Sequence, residues 1–275
     1  MELSVSTDLV IRKFLHIHYM ASPKEPSSNL FKFSDFLSPK FKLAVDTYEL
    51  ACSKSASHSV PDEIWLSLFD GKKPSNNPEL SKLRNMLQEI DMSMLSEENT
   101  VVATAKADLL SDFKKFEPQI KEKIKNIFGF DLQEKLFVIL DIANGFSQGM
   151  TLSRNLPMVA LSYPAYSRKI ISVLLHEMLH TLITDNLKVS LSLKDYNLEE
   201  ALLDYFAPFG MLDDQIGLRS SKLDIEKHAI QQQNLRPKAA SISKDILNIM
   251  KEYQNICGNI TIWEFLENKG VISQL

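Results

Sequence analysis

Leu174-Leu175-His176-Glu177-Met178-Leu179-His180 is the stretch on which the reading of this 275-residue chain turns. It lies inside an expected helix from about Ser167 to Asp185. Ile170, Ile171, Val173, Leu174, Leu175, Leu179, Leu182 and Ile183 make that helix apolar almost all round, as in a buried core helix. Residues four apart lie one turn apart on the same face, so His176 and His180 can reach a single ion. Zinc suits neutral imidazole nitrogens, and a catalytic zinc keeps three protein ligands and one open position. Glu177, beside the first histidine, is placed to take a proton from a water activated there. The plainer reading is two hydrogen-bonded core histidines with a solvent-facing glutamate, since buried polar groups must find partners in any case.

Working outward, the next chemical signal comes twenty residues after His180. Glu199-Glu200-Ala201-Leu202-Leu203-Asp204-Tyr205-Phe206 falls in an expected helix over 195–207, and Glu200 and Asp204 are again four apart. The two strings together resemble the gluzincins, the thermolysin and MA-type zinc peptidases. The second helix of that family carries a Glu ligand followed four residues later by an Asp. The resemblance implies that His176, His180 and Glu200 hold one zinc per chain, with Glu177 as general base. It also implies that Asp204 orients a ligand histidine, His176 in the first instance. Glu199 is the rival ligand; it points about 100° away from Glu200 on the helix and has Leu203 four positions on. A metzincin needs Gly at 183 and His at 186, where this chain has Ile183 and Asn186. The Leu174–His180 string also resembles the start of the SprT-like DNA–protein crosslink proteases, whose third histidine would here have to be His228.

The gluzincin resemblance covers residues 136–208 and gives the upstream segment a role. Leu136-Phe137-Val138-Ile139-Leu140 reads as a strand, followed by a loop through Asn144-Gly145 and Gly149, and Pro157 to Tyr163 reads as a second strand. In zincins an edge strand pairs with an extended substrate backbone, and Pro157–Tyr163 is the candidate. A transition-state donor is expected from His228, one turn after Asp224, or from Tyr205 or Tyr253. The Gly-x-Met-Glu-Asn motif of the zinc aminopeptidases is missing, because no acid follows Gly149-Met150-Thr151.

The expected fold class is α+β: a zincin-like domain with a small sheet, an active helix and a glutamate helix, flanked by mainly helical portions. Three segments follow: 1–130, mainly helical and of unknown role; 131–215, the catalytic core; and 216–275, a helical portion packing on it. Before the core, Leu9-Val10-Ile11 and Phe14-Leu15 suit either a strand or a short helix. Helices are expected from Ser38 to Ser53 with Pro39 leading, from Pro61 to Leu68, over Leu80–Ile90, and over 98–128 with Pro118 as its candidate break. Further helices are expected at 222–233, 239–256 and 261–268.

Composition narrows the partners. Thirty-five acidic against 31 basic side chains give a net charge of −4, which fits neither nucleic acid nor an anionic membrane as the main partner. No window approaches about 18 uninterrupted apolar residues, and the first residues lack a basic-then-apolar leader. A soluble cytoplasmic protein is expected, with Cys52 and Cys257 reduced and no nucleophilic role for either. His16 and His18 would face one way if their segment were a strand. The Lys-rich stretch from Lys114 to Lys125 reads as a solvated helix face. The expected reaction is hydrolysis of a peptide or protein substrate at zinc. The alternative is a zincin-fold scaffold without turnover, against which an intact Glu177 speaks.

Overall fold

The computed structural model describes residues 1–21, 39–53, 62–69, 78–90, 99–141, 149–153, 156–162, 170–186, 196–207, 210–218 and 248–271. The chain is α+β; the described residues are mainly helical, with a small four-stranded mixed sheet. Strands β1 (Glu2–Ser6), β2 (Lys135–Asp141), β3 (Gly149–Ser153) and β4 (Met158–Ser162) lie in the order β1-β2-β4-β3. The helices are α1 (Leu9–Ala21), α2 (Pro39–Ser53), α3 (Asp62–Phe69), α4 (Pro78–Glu89), α5 (Asn99–Phe128), α6 (Ile170–Asn186), α7 (Tyr196–Phe206), α8 (Met211–Gln215) and α9 (Ile262–Asn268). Residues 248–254 are also helical.

The ambiguous runs Leu9–Ile11 and Phe14-Leu15 are helical, both within α1, and the strand β1 that precedes them was not expected. Asp8 ends β1 by capping α1: its Oδ1 accepts from the backbone N–H of Val10 at 2.9 Å and of Ile11 at 3.3 Å. His16 and His18 therefore sit on a helix, about 200° apart, and not on one face of a strand. Helix α5 runs unbroken through Pro118. Pro118 is exposed, so the carbonyl it leaves unpaired can turn to water, while Phe113, Ile120, Ile124 and Ile127 stay buried along the same helix.

The sheet corrects one expectation. The strand expected at the edge, Pro157–Tyr163, is the interior strand β4. It pairs in parallel with β2 (Ile139 opposite Ala160) and antiparallel with β3 (Met150 opposite Ala160). Buried on both faces, Met158 to Leu161 reads as a continuous apolar run, which is the pattern of a central strand. Strand β3, which was not expected, is the antiparallel edge beside it. Its run Gly149-Met150-Thr151-Leu152-Ser153 opens with a glycine, lies half-buried, and changes register between Thr151 and Ser153, all of which weaken a strand signal.

The chain divides into two compact units, one comprising 1–3, 109–136 and 168–275 and the other 4–108 and 137–167. This division cuts across the three segments expected from sequence, passing through β1, α5 and β2. The core of the 4–108/137–167 unit gathers Ile11, Phe14, Leu15 and Ile17 of α1 with Tyr48, Trp65, Leu83 and Leu87 of α2 to α4, closed by Ile139, Met158 and Ala160 of the sheet. The other unit packs the C-terminal half of α5 with α6, α7 and α9. There the ring of Phe128 lies 4.8 Å from Phe206 and 6.0 Å from Trp263, whose indole N–H donates to the Phe128 carbonyl at 2.9 Å. Among the described residues no helix is long and apolar enough to cross a membrane.

Candidate metal centre

Every residue of α6 from 170 to 183 is buried. His176 is 6% exposed, Glu177 7% and His180 3%, so the plainer reading's solvent-facing glutamate does not occur. The two imidazoles meet edge to face, with centroids 4.9 Å apart and planes at 79°. Their Nε2 atoms are 3.2 Å apart.

The far nitrogen of each ring is engaged by the next helix. His176 Nδ1 donates to the main-chain carbonyl of Ala207 at 2.8 Å, and His180 Nδ1 donates to the Glu199 carboxylate at 2.5 Å. Because the contacts run 176 to 207 and 180 to 199, α6 and α7 lie antiparallel. Ala207 follows the last residue of α7, where helix carbonyls have no intrahelical partner and an imidazole N–H can take one. Glu199 stands in the first turn of α7, is 2% exposed, and finds in the His180 N–H the partner its burial demands.

These back-side bonds decide the chemistry in front. A neutral imidazole that donates through Nδ1 presents Nε2 as an acceptor. Two acceptors facing at 3.2 Å repel unless a proton or a cation lies between them. Two zinc–nitrogen bonds of roughly 2.0–2.1 Å at the tetrahedral angle hold their nitrogens roughly 3.3 Å apart. The pair therefore fits two ligands of a tetrahedral cation.

The other expected residues fall out unevenly. Position 200 is in α7, but the Glu200 side chain lies outside the described residues, as does His228. Asp204 is buried on α7, with Oδ1 3.8 Å from His176 Nδ1, beyond hydrogen-bond reach. Glu199, weighed as a rival ligand, contacts the outer nitrogen of His180 instead. Among the described residues no group of three or more His, Cys, Asp or Glu side chains comes together as a metal cage. Tyr205 donates its hydroxyl to Gln254 at 3.1 Å. Burial, with the Cys257 sulfur adding to it, pushes the Tyr205 phenol up to about 12. The Tyr253 hydroxyl lies between the carbonyls of Ile127 at 3.3 Å and Ile260 at 3.2 Å, and burial raises its pKa. Each phenol proton thus already has an acceptor within the protein. Cys257 is a free thiol.

Sequence reasoning missed the Ala207 carbonyl, since a main-chain acceptor has no residue signature. The Glu199 contact had a signal: two antiparallel helices close in sequence bring the start of the second to the end of the first. The chain matches no protein-family model, no curated protein and no solved structure.

Proposed function

We propose that this chain is a zinc-dependent metallopeptidase of gluzincin type, built on a zincin-like arrangement. The observation that carries the reading is the pair of Nε2 atoms at 3.2 Å, each made an acceptor by a bond on the far side of its ring. The order of elements supports it: a parallel β2–β4 pair with an antiparallel edge strand β3, then α6 with the histidines, then α7 with the acids. In this reading the edge-strand role belongs to β3 and not to β4.

His176 and His180 would hold the metal through Nε2, and Glu200 would be the third ligand. Zinc, when held there, supplies positive charge that polarises a carbonyl and lowers the pKa of a neighbouring water towards roughly 7. Glu199 and the Ala207 carbonyl keep both rings in the ligating tautomer. Glu177 accepts a proton from the attacking water as the oxygen bonds to the scissile carbonyl carbon, then passes it to the leaving nitrogen. The products are a carboxylate and an amine, so one water is consumed and Glu177 returns to its starting state. Burial of the histidines and of Glu177 keeps bulk water from these charges.

The test is metal content of protein purified without added metal, beside Glu200→Ala and Glu177→Gln, with a peptide library as substrate. About one zinc per chain, sharply weakened in Glu200→Ala, is expected. Glu177→Gln should keep the zinc and lose roughly 10²–10⁴-fold in turnover. No zinc in the wild type after reconstitution overturns the proposal. Stoichiometric zinc with no cleavage of any peptide leaves the metal site standing and favours a scaffold.

A further inference from the structure

His176 depends on a partner that no mutation can delete, the main-chain oxygen of Ala207. Its position depends on how the chain is held on either side of it, at Ala207 itself and again from Gly210 on, and three contacts bear on that. The Ala207 N–H donates to the Leu203 carbonyl at 3.0 Å and closes the last turn of the helix. Gly210 then lies flat against the end of α7, where a Cβ would come within 2.2 Å of the Tyr205 carbonyl and 2.5 Å of that of Phe206. Only glycine allows the chain to double back so closely. Three residues on, in α8, the buried Asp213 accepts a hydrogen bond from the buried Ser172 hydroxyl.

Ser172 stands on α6 one turn before His176. The contacts therefore close a ring: His176 to Ala207, along the covalent chain to Gly210 and Asp213, across to Ser172, and one turn along α6 back to His176. A main-chain acceptor tethered at both ends to the helix that carries its donor cannot slide along that helix without breaking one of the ties. His180 needs no such device, because its partner is a side chain, Glu199, on a regular turn of α7. We infer that Asp213, acting through Ser172, is a positioning residue for His176: it keeps the Ala207 carbonyl on Nδ1 and so keeps Nε2 available to the metal. The inference rests on the metal reading for its purpose but not for its structural content, and the two are tested separately.

The experiment reads the tautomers of the two histidines by long-range nitrogen–proton NMR on metal-free protein at mildly alkaline pH, and zinc affinity by competition with a chelator. Wild type, Ser172→Ala, Asp213→Ala and the double variant are compared. Both rings of the wild type should be Nδ1-protonated. Ser172→Ala should move a measurable share of His176 to the Nε2-protonated form, leave His180 unchanged, and weaken zinc by about tenfold. Asp213→Ala should shift His176 in the same direction, and the double variant should shift it no further than Asp213→Ala, because the bond to Ser172 is common to both variants. If Asp213→Ala does not fold, Ser172→Ala decides alone. An unchanged His176 in Ser172→Ala overturns the inference with the metal reading intact, and so does an equal shift of both histidines, which would mean general loosening. A wild type that takes up no zinc yet shows the selective His176 shift overturns the metal reading and leaves the positioning role in place.

Discussion

Each unit of the molecule carries two histidines on one helix, and the outcomes differ. On α6, His176 and His180 are four residues apart, and their Nε2 atoms face each other at 3.2 Å. On α1, His16 and His18 are two apart and diverge. His16 Nε2 meets Asp141 at 2.7 Å, and His18 Nδ1 meets the Tyr48 hydroxyl at 2.5 Å. Asp141 also takes the Arg12 guanidinium at 2.7 Å, and Lys13 donates to the carbonyl of Leu87 in the last turn of α4 and to that of Ile90 just after it. The α1 side chains are consumed in holding elements together. Histidine number is therefore a poor sign of a metal site. On the proposed metal reading, what sets the α6 pair apart is spacing that converges two nitrogens, with partners behind both rings.

The largest effect is expected from removing the carboxylate of the structural cluster. Asp141→Ala leaves the buried Arg12 without its counter-ion and should cost about 3–5 kcal/mol of stability in urea unfolding. Zinc bound per folded molecule should stay as in the wild type. Loss of zinc from the folded fraction would show that the two clusters are not independent.

Acid should act on the α1 cluster next. Burial pushes His18 from 6.5 down to about 4. The unfolded chain therefore takes up a proton below about 6.5 that the folded chain refuses until about 4. Stability falls as pH drops through that window, by roughly 2–3 kcal/mol once partial exposure is counted. For Asp141, burial acts against ionisation, but His16 and Arg12 outweigh it and hold the carboxyl at about 2, below the ordinary 3.8. That contribution is present above 3.8 and is lost only as pH falls through about 2. Urea midpoints of wild type and His18→Gln between neutral pH and 4 separate the two; an undiminished decline in the variant would assign the first step to another group.

The smallest effect belongs to the site itself. Glu199→Gln keeps an acceptor for the His180 N–H but removes the charge behind the ring. Zinc affinity should fall by about tenfold, near 1.4 kcal/mol, while urea stability changes by less than about 1 kcal/mol. Equal affinity in the two proteins would mean that the acceptor alone matters and the carboxylate charge does not.

Much of the fold was legible where one rule dominates. Helices α2 and α3 begin at or just after proline, where the missing N–H is harmless, and apolar spacing alone marked α4, which starts two residues before the expected Leu80. Helix α6 announced itself by being apolar all round, and β2 and β4 by unbroken apolar runs. Legibility failed where pairing decides. The apolar run of β4 suited an interior strand, but which strands flank it is set by pairing, and the weakly patterned β3 exists because β4 offers it a partner. The α5 expectation erred the other way: the local penalty at Pro118 was real but smaller than the burial of the side chains around it.

By itself, then, the sequence determined the α+β class, the helix that carries the histidines, and the convergence of His176 and His180, because helical periodicity is local and obeys one geometry. Only the tertiary structure decided that Glu199 lies behind His180, that a main-chain carbonyl lies behind His176, and that β4 is interior. Those facts depend on which distant segments meet, and that is set by the packing of whole faces and not by the identity of any neighbouring residue.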